Sequence, residues 1–149
     1  MPEGTLLLIS ELPPPPMWGG LGESSTERSG GQLRVLVVDD EHLIADTICA
    51  ILNENGFDAT CAYCGSDAIS AARQLRPDII LSDVLMPRMS GVELGIQLRR
   101  EFPDIKIFLF SGQAATTAMI HRAEAAGHYF ELFPKPIHPD ELLARLRGF

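Results

Sequence analysis

With 149 residues and 46% apolar content, the chain can bury one ordinary hydrophobic core but not two. Its net charge of −8, from 12 basic and 20 acidic residues without a basic cluster, excludes a binder that holds nucleic acid through backbone charge, so no direct nucleic-acid contact is expected. Three cysteines are too few for a disulfide scaffold and fit a reducing cytoplasm, and Leu6–Ile9 is too short to span a membrane and follows no positive charge.

Residues 1–31 differ in composition from the remainder. Pro13–Pro16 imposes extended polyproline geometry, and Trp18 to Gly31 is rich in Gly, Ser and charge without periodicity. The expectation is a disordered extension, dispensable or arising from a start upstream of Met17. The rival reading is a proline run beside Trp18 that docks on a partner's aromatic groove.

The folded domain, residues 32–149, opens with the β run Leu33–Val38, which stops at the acids Asp39, Asp40 and Glu41. Leu43, Ile44, Thr47, Ile48, Ile51 and Leu52 recur at three and four, so a helix follows, with Asn55-Gly56 as its stop. Phe57 to Tyr63 reads as a second strand. Ser66 is the expected cap of a second helix whose inner face carries Ala68, Ile69, Ala72 and Leu75 and which ends before Pro77.

Ile79-Ile80-Leu81 is an apolar run of the kind a parallel strand needs when both faces are covered, and it ends at Asp83 with Pro87 soon after. Ser90 and Glu93 have capping-box spacing at the head of a third helix carrying Val92, Leu94, Ile96 and Leu98. Lys106–Phe110 is a fourth strand ending at Ser111-Gly112. Gln113 to Ala126 has only Met119 and Ile120 as large apolar anchors and predicts a weakly held helix. Tyr129–Phe133 is the fifth strand, Pro134-Lys135-Pro136 a rigid corner, and His138-Pro139-Asp140 opens a last helix with Leu142, Leu143 and Leu146 inward.

Five strands alternating with five helices predict an α/β domain: a doubly wound, five-stranded parallel sheet with helices on both faces. Strand order 2-1-3-4-5 puts the switch point between the first and third strands, where ligands of such sheets bind. Asp39, Asp40, Asp83, Ser111 and Lys135 then converge on one crevice. Carboxylates about 5 Å apart repel by on the order of 3 kcal/mol per pair at an effective dielectric near 20, so cationic charge is needed. Lys135 supplies one charge. A divalent ion on Asp40 and Asp83, with Asp39 ligating directly or through water, supplies the rest; Mg²⁺ suits because it keeps waters and accepts phosphate oxygens. Asp83 is thereby prepared as an in-line nucleophile toward a phosphoryl group, with Ser111 and Lys135 on its equatorial oxygens.

Val37-Val38-Asp39-Asp40, Asp83-Val84-Leu85-Met86-Pro87, Ser111-Gly112 and Lys135-Pro136, in this order, resemble the receiver domain of two-component response regulators over residues 33–149. The resemblance implies the same strand order, 2-1-3-4-5. The resemblance implies a phosphorelay domain, not an enzyme acting on a separate substrate, that takes a phosphoryl group onto Asp83 from a phosphohistidine of a sensor histidine kinase or histidine phosphotransfer protein. It implies Mg²⁺ on Asp39, Asp40, Asp83 and the Leu85 carbonyl, and a cis Lys135-Pro136 bond. It further implies a cytoplasmic, membrane-free protein that promotes its own dephosphorylation, a read-out face on the fourth helix, fifth strand and last helix for an unidentified downstream protein, and a homodimer through the last-helix face.

The sequence departs from the family's pattern at two places. Leu85 stands where many relatives have a polar residue, which predicts slow autodephosphorylation. The Gly127 to Lys135 segment is one residue longer than usual, so the slot for the switch aromatic holds Leu132, with Phe130 and Phe133 as displaced candidates. Because the chain ends at Phe149, a stand-alone receiver is expected. Rival functions are a phosphorylation-independent interaction module, a phosphohydrolase (disfavoured because Leu85 replaces its second acid) and a flavin protein (disfavoured by the acids). Cys61 and Cys64 have redox-pair spacing, but in extended chain they face opposite sides. The four histidines are scattered and are read as surface or capping residues.

Overall fold

The computed structural model describes residues 31–112 and 114–148. The extension expected over residues 1–31 lies, apart from Gly31, outside the described residues, as do Gln113 and Phe149. From Leu33 onward the elements run β1 (Arg34–Val38), α1 (His42–Asn53), β2 (Asp58–Ala62), α2 (Gly65–Leu75), β3 (Ile79–Asp83), α3 (Gly91–Glu101), β4 (Lys106–Ser111), α4 (Ala114–Ala125), β5 (Glu131–Pro134) and α5 (Pro139–Arg147). All pairings are parallel and the sheet order is β2-β1-β3-β4-β5, as the alternation predicted.

Strand alternation divides the core into two layers. Leu36, Ile80, Ile107 and Leu109 face α2, α3 and α4; Val35, Val37, Leu81, Phe108 and Phe133 face α1 and α5. Phe133 is fully buried and stacks on Phe108 and Phe110 at 5.0 and 5.7 Å. Because β3 is paired on both edges and covered on both faces, Asp83 at its end is held by a rigid base.

Four details differ from the sequence expectation. The inward face of α1 is Ala45, Cys49 and Leu52, while Leu43 and Thr47 are exposed. Ile44, Ile48 and Ile51 are half-buried and line a groove together with Pro139 and Leu142 of α5. Ser66 is not the cap of α2: the cap position is Cys64, without a side-chain cap bond, and Ser66 lies inside the helix. Strand β2 is one residue shorter at each end than the run Phe57 to Tyr63. Finally, β5 begins at Glu131, two residues after Tyr129. Arg99 of α3 donates to the Tyr129 carbonyl at 2.7 Å and lies 4.7 Å over the Phe130 ring, which packs where Gly95 leaves room, so these two residues are bound to α3 outside the ladder. Leu132 is partly exposed, Phe133 is fully buried, and Phe130 packs against the layer that α3 covers.

The predicted capping box of α3 is present: Ser90 Oγ accepts from Glu93 N–H and the Glu93 carboxylate accepts from Ser90 N–H. It sets the entry of α3 directly behind the β3 end. Gly91 donates to the Val84 carbonyl at 2.8 Å, and a methyl group there would overlap the Asp83 carbonyl. Gly91→Ala is therefore expected to displace the Asp83 backbone and to destabilise the fold by about 1–3 kcal/mol, the range for forced overpacking; an unchanged urea midpoint would refute this contact. None of the helices among the described residues is long and apolar enough to cross a membrane.

Candidate functional site

The carboxyl ends of β1, β3, β4 and β5 meet at one edge of the sheet. Asp39 follows β1 and is buried; its Oδ1 accepts from Glu41 N–H at 2.9 Å, and its Oδ2 is buried without a hydrogen-bond partner. Asp40 is exposed beside it and Asp83 is half-buried. Each of the three offers a carboxylate oxygen, and these atoms lie within 4.8 Å of one another. Lys135, immediately after β5, donates from Nζ to Asp83 Oδ1 at 2.8 Å. The Lys135–Pro136 peptide is cis, as the resemblance implied.

Burial is the main reason the Asp39 carboxyl is pushed up to about 6; the Glu41 amide opposes this, Asp83 adds to it, and Lys135 opposes it. Burial lowers the Lys135 ammonium, but the hydrogen bond and charge of Asp83, with Asp39 and Glu41 beyond, outweigh it and hold the group above its ordinary range. One amine among three clustered acids leaves the edge short of positive charge. A buried carboxylate oxygen with no donor is costly unless something cationic meets it. The donor set, all carboxylate oxygens, is that of a hard cation.

A cleft of about 240 Å³ opens over these groups, with Asp40, Asp83, Leu85, Thr116 and Lys135 on its wall. A larger apolar groove of about 580 Å³, bounded by Ile44, Ile48 and Ile51 of α1 and by Pro136, Ile137 and Leu142, adjoins it and shares Lys135.

Of the five polar side chains expected to converge, Asp39, Asp40, Asp83 and Lys135 are brought together. Ser111 ends β4 as predicted, but its hydroxyl is hydrogen-bonded at 3.1 Å to Thr116 Oγ1 in the first turn of α4. Thr116 is buried. It carried no signal in the sequence, because a threonine in an Ala- and Thr-rich helix has no pattern to set it apart. All three cysteines are free thiols: Cys61 reaches toward the Ala45 carbonyl and Cys64 toward Ser66, so the two thiols turn to different partners. His138 caps α5 through Nδ1, a structural role.

Residues 35–147 match the family profile described as "Response regulator receiver domain". A Mycobacterium tuberculosis protein named "Probable transcriptional regulatory protein TcrX" is 38% identical over 122 residues, covering 81% of this chain and 51% of that protein. The DNA-binding response regulator MtrA of Mycolicibacterium smegmatis is 33% identical, covering 77% and 49%. The chain thus spans about half the length of these curated relatives. Among solved structures, the chemotaxis protein CheY4 of Vibrio cholerae superposes with a TM-score of 0.68 at 27% identity, covering 78% of this chain and 98% of that one. The receiver domain of the Francisella response regulator 1452 gives 0.67 at 29% identity, covering 78% and 94%.

Proposed function

The chain belongs to the response regulator receiver family, and from that premise we propose that residues 32–149 accept a phosphoryl group on Asp83 from a phosphohistidine and change partner binding in consequence. The observation that carries this reading is the juxtaposition of Asp83 with Lys135 at 2.8 Å and with Asp39 and Asp40 within 4.8 Å.

An Asp83 carboxylate oxygen forms the O–P bond as the donor's P–N bond breaks, and the imidazole leaves with the electron pair. Lys135, already on Asp83, is placed to hold a phosphoryl oxygen as charge moves onto it, and the Ser111 hydroxyl to hold another after turning from Thr116. Asp39, Asp40 and Asp83, with the Leu85 carbonyl, would hold Mg²⁺; the unpartnered Asp39 Oδ2 and the all-oxygen donor set fit it. When bound, Mg²⁺ supplies the charge neutralisation that lets an anionic carboxylate approach an anionic phosphoryl group. The donor is a sensor histidine kinase or histidine phosphotransfer protein, for which the apolar groove next to Lys135 offers an adjoining seat. The downstream partner, or a second copy of the chain, is assigned to the α4–β5–α5 face. There Tyr129 and Leu132 are exposed, and Arg145 donates to the Leu132 carbonyl while lying 4.4 Å over Phe133.

Incubation with acetyl phosphate, with and without Mg²⁺, tests the reading by intact mass. One phosphoryl group per chain with Mg²⁺ and none without it is expected; uptake indifferent to the ion, or none in either case, contradicts it.

Leu85 lines the cleft and is partly exposed, and an aliphatic side chain there has no polar group with which to orient a water. The isolated phosphoprotein is expected to lose its phosphoryl group slowly, and Leu85→Asn to lose it on the order of tenfold faster, the effect of about 1.4 kcal/mol of water orientation. A half-life of seconds for the wild-type phosphoprotein would refute this.

A further inference from the structure

The cleft over Asp83 and the apolar groove are continuous. Glu41, Phe110 and Lys135 line both, so the groove opens where Lys135 reaches Asp83. Ile44, Ile48 and Ile51 enter it from α1, and Pro136, Ile137 and Leu142 from the β5–α5 corner and α5. Ile48, Ile51 and Ile137 are half-buried and pack on the core layer that α1 and α5 cover. Apart from Thr47 and the two charged residues shared with the cleft, no polar side chain among the described residues lines the groove.

Such a groove selects a ligand by what the ligand lacks. A group that needs hydrogen bonds gives up those it makes with water and finds few here, whereas a methylene chain gains on leaving water. Ile44 to Ile51 spans about 10 Å of α1, the extended length of about eight carbons. The end that meets Asp83 has to differ. Three acids and Glu41 set against one amine repel a bare carboxylate, while a phosphoryl group is the anion the cleft accepts on the reading above. A hydrocarbon chain carries a phosphoryl group either as the ester of an alcohol or as the mixed anhydride of a carboxylic acid. Only the anhydride suits Asp83. An aspartyl phosphate is itself an acyl phosphate, so transfer between two carboxylates exchanges like bond for like, whereas an ester would have to expel an alkoxide, a far poorer leaving group.

We propose that the groove is a leaving-group subsite for a medium-chain acyl phosphate, a second class of phosphodonor whose hydrocarbon tail lies along α1 while its phosphoryl group occupies the cleft. The proposal rests on Asp83 being the phosphoacceptor. An Asp83 carboxylate oxygen forms the new O–P bond as the bond from phosphorus to the bridging oxygen breaks. The electron pair stays on that oxygen and the acid leaves as its carboxylate, so the step needs no proton, oxidant or reductant. Lys135 lines both surfaces and is placed where the bridging oxygen passes from cleft to groove. A donor protein reaching Asp83 over the same groove would be excluded while the chain is bound.

Phosphoryl uptake by the full chain in Mg²⁺ tests this, followed by intact mass with acetyl, butyryl, hexanoyl and octanoyl phosphate at one concentration below micelle formation. Complete burial of a methylene strengthens binding about fourfold and half-burial in an open groove about twofold, so octanoyl phosphate is expected to react about sixtyfold faster than acetyl phosphate. Ile48→Ser, which removes part of the apolar wall, and Ile48→Trp, which fills the groove, are both expected to bring that ratio below about tenfold. Because the ratio is taken within each variant, a change in folded fraction cancels. Should a variant not fold, excess octanol, a neutral competitor for the groove, is expected to lower the same ratio in wild type. Rates independent of chain length, with acetyl phosphate still reacting, overturn this inference alone. A ratio that survives in both Ile48 variants, or in the presence of octanol, overturns the groove as the place where the chain lies. No uptake from any of the acyl phosphates overturns the phosphoacceptor reading and this proposal with it.

Discussion

Asp83→Asn is expected to reduce Mg²⁺-dependent phosphoryl uptake from acetyl phosphate to background, while Lys135→Ala slows it on the order of a hundredfold without abolishing it. The two residues touch, with Nζ 2.8 Å from Oδ1, but their roles differ. An amide in place of the Asp83 carboxylate has no anionic oxygen to form the new bond, so nothing in the cleft replaces it. Loss of the Lys135 amine removes one cation from a site where the metal still neutralises charge, which weakens transition-state stabilisation but leaves the nucleophile. Equal loss in both variants would mean that the lysine is itself indispensable; appreciable uptake in Asp83→Asn would mean that another group accepts the phosphoryl. Intact mass over a time course distinguishes these outcomes.

The second large effect is on stability and its pH dependence in the absence of metal. Asp39 has a folded-state value of about 6 against an ordinary value of 3.8, chiefly because it is buried. Between those values the folded chain keeps a proton that the unfolded chain has released, so the Asp39 contribution is fully present below about 3.8 and is lost as pH rises through about 6. By neutral pH the loss is on the order of 3 kcal/mol, or roughly 10 °C in midpoint for a domain of this size. Chelated wild type is thus expected to melt at lower temperature at pH 7.5 than at pH 5. Asp39→Asn, which keeps an acceptor for Glu41 N–H but has no charge to bury, is expected to melt higher than wild type at pH 7.5 and to lose most of this pH dependence. Added Mg²⁺ should restore wild-type stability by mass action and do much less for the asparagine variant. Thermal melts with chelator or Mg²⁺ at the two pH values check all three points; an Asp39→Asn protein less stable than chelated wild type at pH 7.5 would contradict the charge-burial account.

The same balance explains which parts of the molecule the sequence revealed. The apolar runs of β1, β3 and β4 are legible because parallel strands covered on both faces tolerate little but aliphatic and aromatic residues, and the acids and Ser111 stand where those runs stop, with Lys135 after β5. Chain order then fixes the sheet order, and the sheet order brings Asp39, Asp40, Asp83 and Lys135 together. Elsewhere the pattern misleads. The inward face of α1 is made of Ala45 and Cys49, whose small side chains give a weaker periodic signal than the Ile44, Ile48 and Ile51 stripe beside them. The start of β5 is shifted because Arg99 and Gly95, on a different element, bind Tyr129 and Phe130, a tertiary contact that local periodicity cannot contain. Thr116 was invisible for a related reason: its importance lies in its partner, Ser111, and not in its own pattern.

Borohydride reduction after Mg²⁺ and acetyl phosphate treatment, followed by peptide mass mapping, locates the acyl phosphate directly, since a reduced aspartyl phosphate becomes homoserine. Conversion confined to Asp83 is the predicted result, with Asp39, Asp40 and the other acids unchanged. Conversion at another carboxylate, or at none while the chain still gains phosphate, would contradict it.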